Sequence, residues 1–294
     1  MQLNDLLAAK GVDPTRTLVL RHKPMEPQLA KALPLIASER PNLFNVFQQF
    51  QGPSVERSML ALRGGWLASF IAYGPAKAAL VGIYTIGAYA VPHDRGQFWS
   101  IPENEALKAH GYWGFTDAET RSHQVRFDLR ETEYYAEWRG KLIVGWPPPE
   151  RGWYRRSHNN TMPVLAIREE SAFAPPLPAW DEVEFTWSEL AILPQRWRSA
   201  LEHWRGIYAI WDSTDARTYV GSAYGASNIL GRWLAYGASG HGGNKLLRDR
   251  DPTRFRFTIL QRVSPDMLPD EVIRLESSWK TRLHSRSPHG LNEN

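Results

Sequence analysis

Residues 206–223, GIYAIWDSTDARTYVGSA, contain two short runs that are typical of neighbouring strands in a small sheet. GIYAIWD (206–212) and TYVGSA (218–223) are rich in β-branched and aromatic residues. The polar segment STDAR between them suits a hairpin turn. The sequence therefore predicts an antiparallel pair of strands here.

The residues after this hairpin continue the alternation of helix and strand. SNILGRWLAYG (227–237) has apolar residues at helical spacing, and RFRFTIL (254–260) alternates as a strand. DEVIRLESSWKTRLHS (270–285) again has an apolar helical face. The last third of the chain thus predicts a small sheet flanked by helices.

The first part of the chain mixes helix and strand signals. From residue 66 onward its runs are short, β-prone and bounded by Gly and Pro, which favours a β-rich sheet or small barrel. The Pro-rich stretch SAFAPPLPAW (171–180) indicates a linker. We expect an α+β protein with a larger N-terminal mixed domain at 1–180, a linker and connecting helix at 181–199, and a C-terminal domain at 200–294.

Composition excludes several classes of protein. The 294 residues are 43% hydrophobic and 22% charged, and no apolar run approaches the ~18–20 residues of a membrane helix. With no cysteine there is no disulfide, no CxxC zinc site and no thiol nucleophile. The N-terminus does not resemble a secretory signal, so we expect a cytoplasmic protein without a membrane partner. The net charge of +4 and the pI near 9.3 hint at a polyanionic partner.

The C-terminal pattern resembles the GIY-YIG nuclease superfamily. GIY at 206–208 and YVG at 219–221 match the two signature strands, with their tyrosines 11 positions apart. The remaining matches are Arg232, Glu276 and Asn292. The resemblance covers about 95 residues in the correct order, and the stretch between YVG and the arginine is a few residues longer than in compact members, with 224–226 as the insertion.

This resemblance implies a metal-dependent phosphodiesterase. Glu276 would hold one divalent cation, Mg²⁺ or Mn²⁺, because hard oxygen ligands suit such ions. Arg232 would present a permanent planar charge to the scissile phosphate. The alternatives are that Glu276 is a solvated carboxylate paired with Lys280 at i,i+4, and that Arg232 is an ordinary surface arginine.

The tyrosines and the asparagine complete the catalytic set that the resemblance implies. Tyr208 would be the general base, with its pKa lowered by nearby cations, and Tyr219 would orient water or phosphate beside it. Tyr236 lies one helical turn after Arg232 and is a further phosphate contact, with core packing as the alternative. Asn292 closes the pattern.

Basic residues in both parts of the chain are candidates for contacts with a nucleic-acid backbone, with solvated surface charge as the alternative reading. Arg254 and Arg256 are expected on one face of the same strand. The full set is Lys245, Arg254 and Arg256 in the C-terminal domain, and Arg151, Arg155 and Arg156 in the N-terminal domain.

The N-terminal domain has a weaker resemblance, carried by WLASFIAYG (66–74) and AALVGIYTIG (78–87), to small barrel modules of the PUA/EVE kind. That resemblance implies a nucleobase pocket with aromatic walls, and core packing is the alternative. The candidate aromatic residues are Trp66, Tyr84, Trp99, Trp113, Trp146 and Trp153.

These inferences favour an endonuclease that acts on nucleic acid, with DNA preferred, and whose N-terminal domain chooses the target. Bacterial restriction or defence is the leading role, and repair or RNA cleavage stays open. A non-catalytic nucleic-acid-binding protein on a degenerate nuclease scaffold is the rival hypothesis. Cleavage of both strands by one small site requires a homodimer or two visits, and the sequence does not choose between them.

Overall fold

The computed structural model describes residues 1–116 and 121–293, and the chain divides into two compact units, Met1–Pro175 and Pro176–Asn294. Each unit has its own sheet, its own helices and its own buried core. The expected α+β fold class is confirmed. Across the two described ranges, no helix is both long and apolar enough to span a membrane.

The first unit is built on one mixed sheet. Its strands are β1 (Thr17–His22), β2 (Trp66–Ala72), β3 (Lys77–His93), β4 (Gln124–Glu131), β5 (Leu142–Gly145), β6 (Tyr154–Arg156) and β7 (Val164–Ile167). They run in the order β6-β1-β2-β3-β5-β7, and β4 pairs with β3. The β1–β2 pair is parallel, and the other pairs are antiparallel.

Helices of the first unit fill the connections between these strands. They are α1 (Leu3–Ala9), α2 (Pro27–Glu39), α3 (Pro41–Gln49), α4 (Pro53–Leu60), α5 (Arg95–Trp99) and α6 (Pro102–Lys108). Proline stands at the first position of α2, α3, α4 and α6, where its missing N–H costs no helical hydrogen bond. The mixture of helix and strand predicted for the first part and the β-prone runs predicted from residue 66 are confirmed, whereas helices α5 and α6 were not predicted.

The second unit has a small antiparallel sheet in the order β10-β9-β11-β8. Its elements are β8 (Glu184–Thr186), α7 (Gln195–His203), β9 (Arg205–Asp212), β10 (Arg217–Ala223), α8 (Asn228–Ser239), β11 (Phe255–Val263) and α9 (Pro269–Arg282). The predicted hairpin is the β9–β10 pair, in which Tyr219 lies opposite Ile210. Strand β10 lies at one edge of the sheet.

Helix α8 follows from the apolar spacing of its sequence. Ile229, Trp233 and Tyr236 are all buried in the core of the second unit, as the helical stripe predicts. The helix ends at Gly240, whose φ of +77° is the left-handed conformation that glycine adopts at little cost. The Gly240 N–H donates to Tyr236 O at 2.7 Å, which satisfies a terminal carbonyl.

Residues 181–199, expected to be a linker and connecting helix, are part of the second unit. Strand β8 pairs with β11, so that Phe185 lies opposite Phe257. Val183, Phe185 and Trp197 are buried in the core of this unit. The sequence analysis placed residues 181–199 between the domains because a Pro-rich stretch precedes them. Their three separated apolar residues show no clear periodicity that would have indicated burial.

Candidate active site

The glycines of the two signature strands are required by close packing. A Cβ on Gly221 would lie 2.5 Å from the hydroxyl oxygen of Tyr208, which lies opposite it in the strand pair. A Cβ on Gly206 would collide with the carbonyl oxygen of Gln261. Only glycine allows both approaches. The spacing of glycine and tyrosine in this motif is therefore a packing requirement of the hairpin.

Three tyrosine rings meet on one face of this sheet. Tyr208 on β9, Tyr219 on β10 and Tyr236 on α8 have ring centroids 6.1 to 6.4 Å apart. The hydroxyl groups of Tyr208 and Tyr236 are hydrogen-bonded at 3.2 Å. Tyr208 is completely buried and Tyr236 is 3% exposed, whereas Tyr219 is half-buried. Tyr219 is therefore the most accessible of the three phenols.

Burial raises the pKa of Tyr208 above its usual value, and the nearby Tyr219 raises it further. The hydrogen bond with Tyr236 and the charge of Arg232 lower the pKa, but burial outweighs them. The expectation that nearby cations lower the pKa of Tyr208 is thus wrong for the free protein, because a buried phenolate lacks the hydration that stabilises it. At neutral pH the Tyr208 hydroxyl is protonated and acts as a hydrogen-bonding group.

Tyr236 is a core residue rather than a surface group beside Arg232. Burial raises the pKa of Tyr236, and the neighbouring Tyr208 raises it further. A Cβ on Gly242 would lie 2.5 Å from the Tyr236 ring, which shows that the loop after α8 closes over this ring. The expected direct contact of Tyr236 with phosphate is not supported, because the loop and Tyr208 enclose it.

Arg232 and Glu276 converge on Ser222 of the edge strand β10. The Ser222 hydroxyl donates to Glu276 Oε2, and Arg232 Nε lies 3.4 Å from the Ser222 carbonyl oxygen. Lys280 Nζ lies 2.8 Å from Glu276 Oε1, one turn further along α9. Helices α8 and α9 thus deliver a guanidinium and a carboxylate to the same residue. Arg232 is exposed, and the Glu276 side chain is 17% exposed.

A cleft of about 440 Å³ opens beside this cluster. It is lined by Ser222, residues 224–228, Gly231 and Arg232. The insertion noted in the sequence therefore forms a wall of the cleft, next to the convergent polar groups. No set of three or more His, Cys, Asp or Glu side chains with the arrangement of a metal site occurs within residues 1–116 and 121–293.

Asn292 binds the outer edge of β10. Its Oδ1 accepts from the Val220 N–H at 2.9 Å, and its Nδ2 donates to the Val220 carbonyl at 2.8 Å. The Ser285 hydroxyl also donates to Asn292 Oδ1, and Leu291 N–H donates to Thr218 O at 3.0 Å. Asn292 is 2% exposed. Because its amide is occupied by the backbone, the side chain holds the strand and does not face a substrate, contrary to its expected place in the catalytic set.

We expect Asn292→Ala to destabilise the second unit by about 2–4 kcal/mol, since three hydrogen bonds are lost and the buried N–H and C=O of Val220 are left unpaired. Native-state hydrogen exchange at the Val220 amide measures this local loss. Glu293→Gln is the matched control. Glu293 is exposed, and its ion pair with Lys245 at 3.6 Å lies on the surface, where such pairs contribute little to stability. Equal protection of Val220 in both variants would contradict the assignment.

The candidate backbone-binding cations of the second unit lie on its surface, though not all where the sequence placed them. Lys245 is exposed beside Glu293, and Arg256 Nε lies 4.0 Å from Glu184. Arg254 lies in a short 3-10 turn before β11, because Asp251 accepts from the backbone N–H two residues on. The expectation that Arg254 and Arg256 share a strand face is therefore wrong.

The three arginines of the first unit differ in their accessibility. Arg155 donates from Nη2 to the carbonyls of Pro147 (3.3 Å) and Pro149 (2.8 Å), so it stabilises the Pro-rich turn instead of facing a ligand. Arg156 is half-buried on β6, and Arg151 is exposed. We therefore assign Arg155 a structural role instead of the expected contact with a nucleic-acid backbone, whereas Arg151 is exposed to solvent.

The six candidate aromatic residues of the first unit fall into two groups. Tyr84 and Trp146 are buried in the cores, and Trp66 and Trp99 pack against neighbouring rings. The remaining two, Trp113 and Trp153, line a cavity of about 850 Å³. Core packing accounts for the first group.

Two polar residues of the site were not singled out by their sequence. Ser222 follows the YVG motif, and alternation along β10 places it on the same face as Val220, which packs against Val272 of α9. Because Glu276 also lies on α9, this alternation is the signal from which the proximity of Ser222 and Glu276 could have been predicted. Lys280 was visible only as an ordinary i,i+4 partner, which is what its contact with Glu276 is.

Comparison with known proteins gives a partial match. No family model matches the chain, and no curated protein matches it. Among solved structures, the catalytic domain of the homing endonuclease I-TevI is similar at 25% identity and a TM-score of 0.26. The similarity covers 31% of this chain and 98% of that domain. A mutant of the same domain aligns at 23% identity and the same TM-score, over 31% of this chain and 94% of that one.

Proposed function

We propose that the second unit is a metal-dependent endonuclease of the GIY-YIG type that hydrolyses phosphodiester bonds, with DNA as the preferred substrate. The observation that carries this proposal is the convergence of Arg232 and Glu276 on Ser222, with Arg232 and Ser222 lining a cleft. A lone arginine or carboxylate would carry little weight. Their meeting across two helices at the edge strand places a phosphate-binding charge next to an oxygen ligand.

Arg232 is the group that would bind the scissile phosphate. Its Nε contacts Ser222, and its two terminal nitrogens have no hydrogen-bond partner among the residues that the structure describes. They lie at the cleft as a permanent, planar pair of donors, which matches two phosphate oxygens. Because hydrolysis adds negative charge to the phosphoryl group, such a charge stabilises the transition state more than the ground state.

The phenols of the site would hold water and phosphate by hydrogen bonds. Tyr219 is half-buried, so its hydroxyl is the one available to orient an attacking water or a phosphate oxygen. Tyr208 is protonated and buried behind it, where it fixes Tyr236 by a hydrogen bond. In the proposed reaction Tyr208 packs beside the Tyr219 ring and does not act as the base, and the proton of the attacking water passes to solvent.

The residues present fit a sparsely ligated divalent cation. Glu276 offers a partly exposed carboxylate next to the Ser222 hydroxyl, and Mg²⁺ commonly takes one or two carboxylates and keeps several waters. When bound, such a cation would polarise a phosphate oxygen and stabilise the leaving group. Lys280 holds Glu276 Oε1 at 2.8 Å and therefore competes for the same carboxylate.

The first unit would choose the target, and bacterial restriction or defence is the role that we propose. A small nuclease unit with 13 basic and 10 acidic residues in 200–294 offers few phosphate contacts, and such contacts carry no sequence information. Cleavage of both strands would then require a homodimer or two successive visits.

One observation favours a rival function, a non-catalytic nucleic-acid-binding protein. Glu276 is already neutralised by Lys280, and burial keeps Tyr208 protonated. A degenerate scaffold that only binds would tolerate both features. The two functions differ in whether phosphodiester bonds are broken.

A plasmid-nicking assay separates these two functions. We expect the full-length protein to convert supercoiled plasmid to nicked or linear DNA with Mg²⁺ or Mn²⁺, and to leave it intact with EDTA. Gel retardation of the same plasmid in EDTA measures binding independently. Retardation without any cleavage across both metals and an RNA substrate would support the binding protein instead.

The division of labour between the two units gives a further prediction. We expect residues 176–294, the whole second unit, to bind nucleic acid weakly and without sequence preference, whereas the full chain selects its sites. Binding of residues 1–175 to the same targets should weaken as salt rises, because released counterions contribute to the affinity. Sequencing of the cleavage sites from one pooled library measures the preference. Identical preferences for the fragment and the full chain would remove target choice from the first unit.

A further inference from the structure

The cavity of about 850 Å³ in the first unit has the size of a small-ligand site. Its walls come from five separate stretches of the unit, namely residues 21–26, 47–52, 112–116, 121–124 and 150–153. They bring together the end of strand β1, the end of helix α3 and three connecting segments. No residue of the candidate nuclease site lines it. The cavity is therefore a second concave site, with its own set of side chains.

The aromatic walls of this cavity are unusually exposed. Trp113 is 57% exposed and Trp153 is 40% exposed, and both rings line the cavity, where exposed aromatic surface is typical of a binding site. The Trp153 ring packs on Gly52, and the backbone N–H of Trp113 donates to Glu26 Oε1 at 3.3 Å, which fixes the main chain beside the cavity. Exposed rings that line a cavity are suited to stacking on a flat ligand.

A buried cation lines the same cavity. Arg21 is 1% exposed, and its Nη2 donates to the Glu150 carbonyl. Its Nε and Nη1 have no hydrogen-bond partner in the described part of the chain, and the Glu150 carboxylate lies 3.6 Å from Nη1, beyond a good hydrogen bond. The ion pair with Glu150 and the Trp146 ring, 4.9 Å from the guanidinium carbon, stabilise part of this charge. Two buried N–H groups without a hydrogen bond are nevertheless costly, so an acceptor-rich ligand would stabilise them.

The remaining charges and the polar floor restrict the ligand further. Lys23 and Arg151 are exposed cations among the lining residues. His22 is 3% exposed at the end of β1, and burial lowers its pKa to about 4, so it is neutral at pH 7 and hydrogen-bonds Ser69 at 3.2 Å. The site thus offers ring faces, a buried guanidinium and exposed cations, with the carboxylates of Glu26 and Glu150 among its lining residues.

We propose that this cavity binds one nucleotide, with its base stacked on the exposed indoles of Trp113 and Trp153 and its acceptor atoms facing Arg21. A base supplies the flat ring and a row of carbonyl and ring-nitrogen acceptors, and its phosphate suits the exposed cations. The nucleotide comes either from a nucleic-acid strand or from the free pool. The strand as its source rests on the proposed nuclease function, whereas the nucleotide chemistry rests on the cavity alone.

Calorimetric titration of the full-length chain tests the chemistry without any cleavage. The probes are the four deoxynucleoside 5′-monophosphates, with deoxyribose 5-phosphate and inorganic phosphate as probes that lack a base. We expect at least one nucleotide to bind and the two baseless probes to bind at least about tenfold more weakly, since stacking of a base on an aromatic residue is worth about 5- to 150-fold. Equal binding of deoxyribose 5-phosphate would overturn the proposal.

Variants locate that binding in the cavity. Trp113→Ala and Trp153→Ala should each weaken the nucleotide about tenfold, and both rings are exposed enough for the fold to persist. Arg21→Lys keeps a positive charge but removes the guanidinium N–H groups, so it should also weaken binding, with circular dichroism as the check on folding. Tyr89→Ala is the matched control, because Tyr89 is 81% exposed in the same unit and outside the cavity. Unchanged affinity in both tryptophan variants would overturn the site.

A second arm separates the two sources of the nucleotide. Oligonucleotides with one 2-aminopurine, and matched oligonucleotides with an abasic position, are titrated in EDTA. If the protein quenches the fluorescence of 2-aminopurine and Trp113→Ala abolishes this quenching, the base is presented by a strand. Competition by free nucleotides but not by oligonucleotides overturns the strand source and supports the free one. Nucleotide binding by a chain that never nicks plasmid would refute the nuclease alone, and nicking without nucleotide binding would refute the cavity alone.

Discussion

Glu276→Gln is expected to reduce plasmid cleavage by about 10³-fold or more while leaving DNA retardation largely intact. The substitution keeps the volume of the side chain and removes the negative charge that would retain a divalent cation. Stabilisation of a transition state by a metal ion is worth several kcal/mol, and each 1.4 kcal/mol changes a rate tenfold. The measurement is the single-turnover cleavage rate at limiting and saturating Mg²⁺.

Two further variants on the same helix make this result specific. Asp270→Asn removes an equal charge from an exposed position of α9 and should leave the rate unchanged. Lys280→Met removes the ammonium group that holds Glu276 Oε1, so it should lower the Mg²⁺ concentration needed for half-maximal cleavage. Full activity of Glu276→Gln at limiting Mg²⁺ would exclude Glu276 as the metal ligand.

Arg232→Ala is expected to lower the single-turnover rate by about 10²–10³-fold, or about 3–4 kcal/mol, and to weaken binding much less. This is the size of the loss when one preorganised donor to a developing anion is removed. Arg232→Lys should restore little, because an ammonium cannot donate to Ser222 through a side-chain Nε and also present two further nitrogens to phosphate.

Arg274→Ala provides the reference for this substitution, since Arg274 is an exposed arginine of α9 in the same unit. We expect it to change the salt dependence of binding slightly and the rate hardly at all. If Arg232→Ala instead lost only affinity and kept the single-turnover rate, the arginine would serve as a backbone contact and not as a stabiliser of the transition state.

Much of the second unit follows from local sequence. The strands around Tyr208 and Tyr219 and the helical stripe of α8 have clear periodicity, and the structure confirms each of them. Strand β8 was missed because three residues at a sheet edge carry almost no pattern of their own. Their burial is decided by β11, which is about 70 residues further along the chain.

The chemistry of the site was less predictable than its position. The family resemblance selected Arg232 and Glu276, but it gave no information on how deeply Tyr208 is buried, and burial determines the direction in which the pKa of Tyr208 moves. The roles of Asn292 and Arg155 depend on contacts with distant backbone carbonyls and amides, which single-residue chemistry does not indicate. Residue type predicted where polar groups would gather, and tertiary contacts decided what each one does.

The outer side of β10 has a consequence for self-association. An open sheet edge is a template for pairing with another chain, yet here Asn292 binds the N–H and C=O of Val220, and Arg232 contacts the carbonyl oxygen of Ser222. The side chains of Asn292 and Arg232 therefore hinder intermolecular β-pairing at this edge. Loss of these side chains would expose the edge of β10 to aggregation even in a protein that no longer cleaves nucleic acid. Their presence in a sequence therefore does not by itself demonstrate that cleavage is retained.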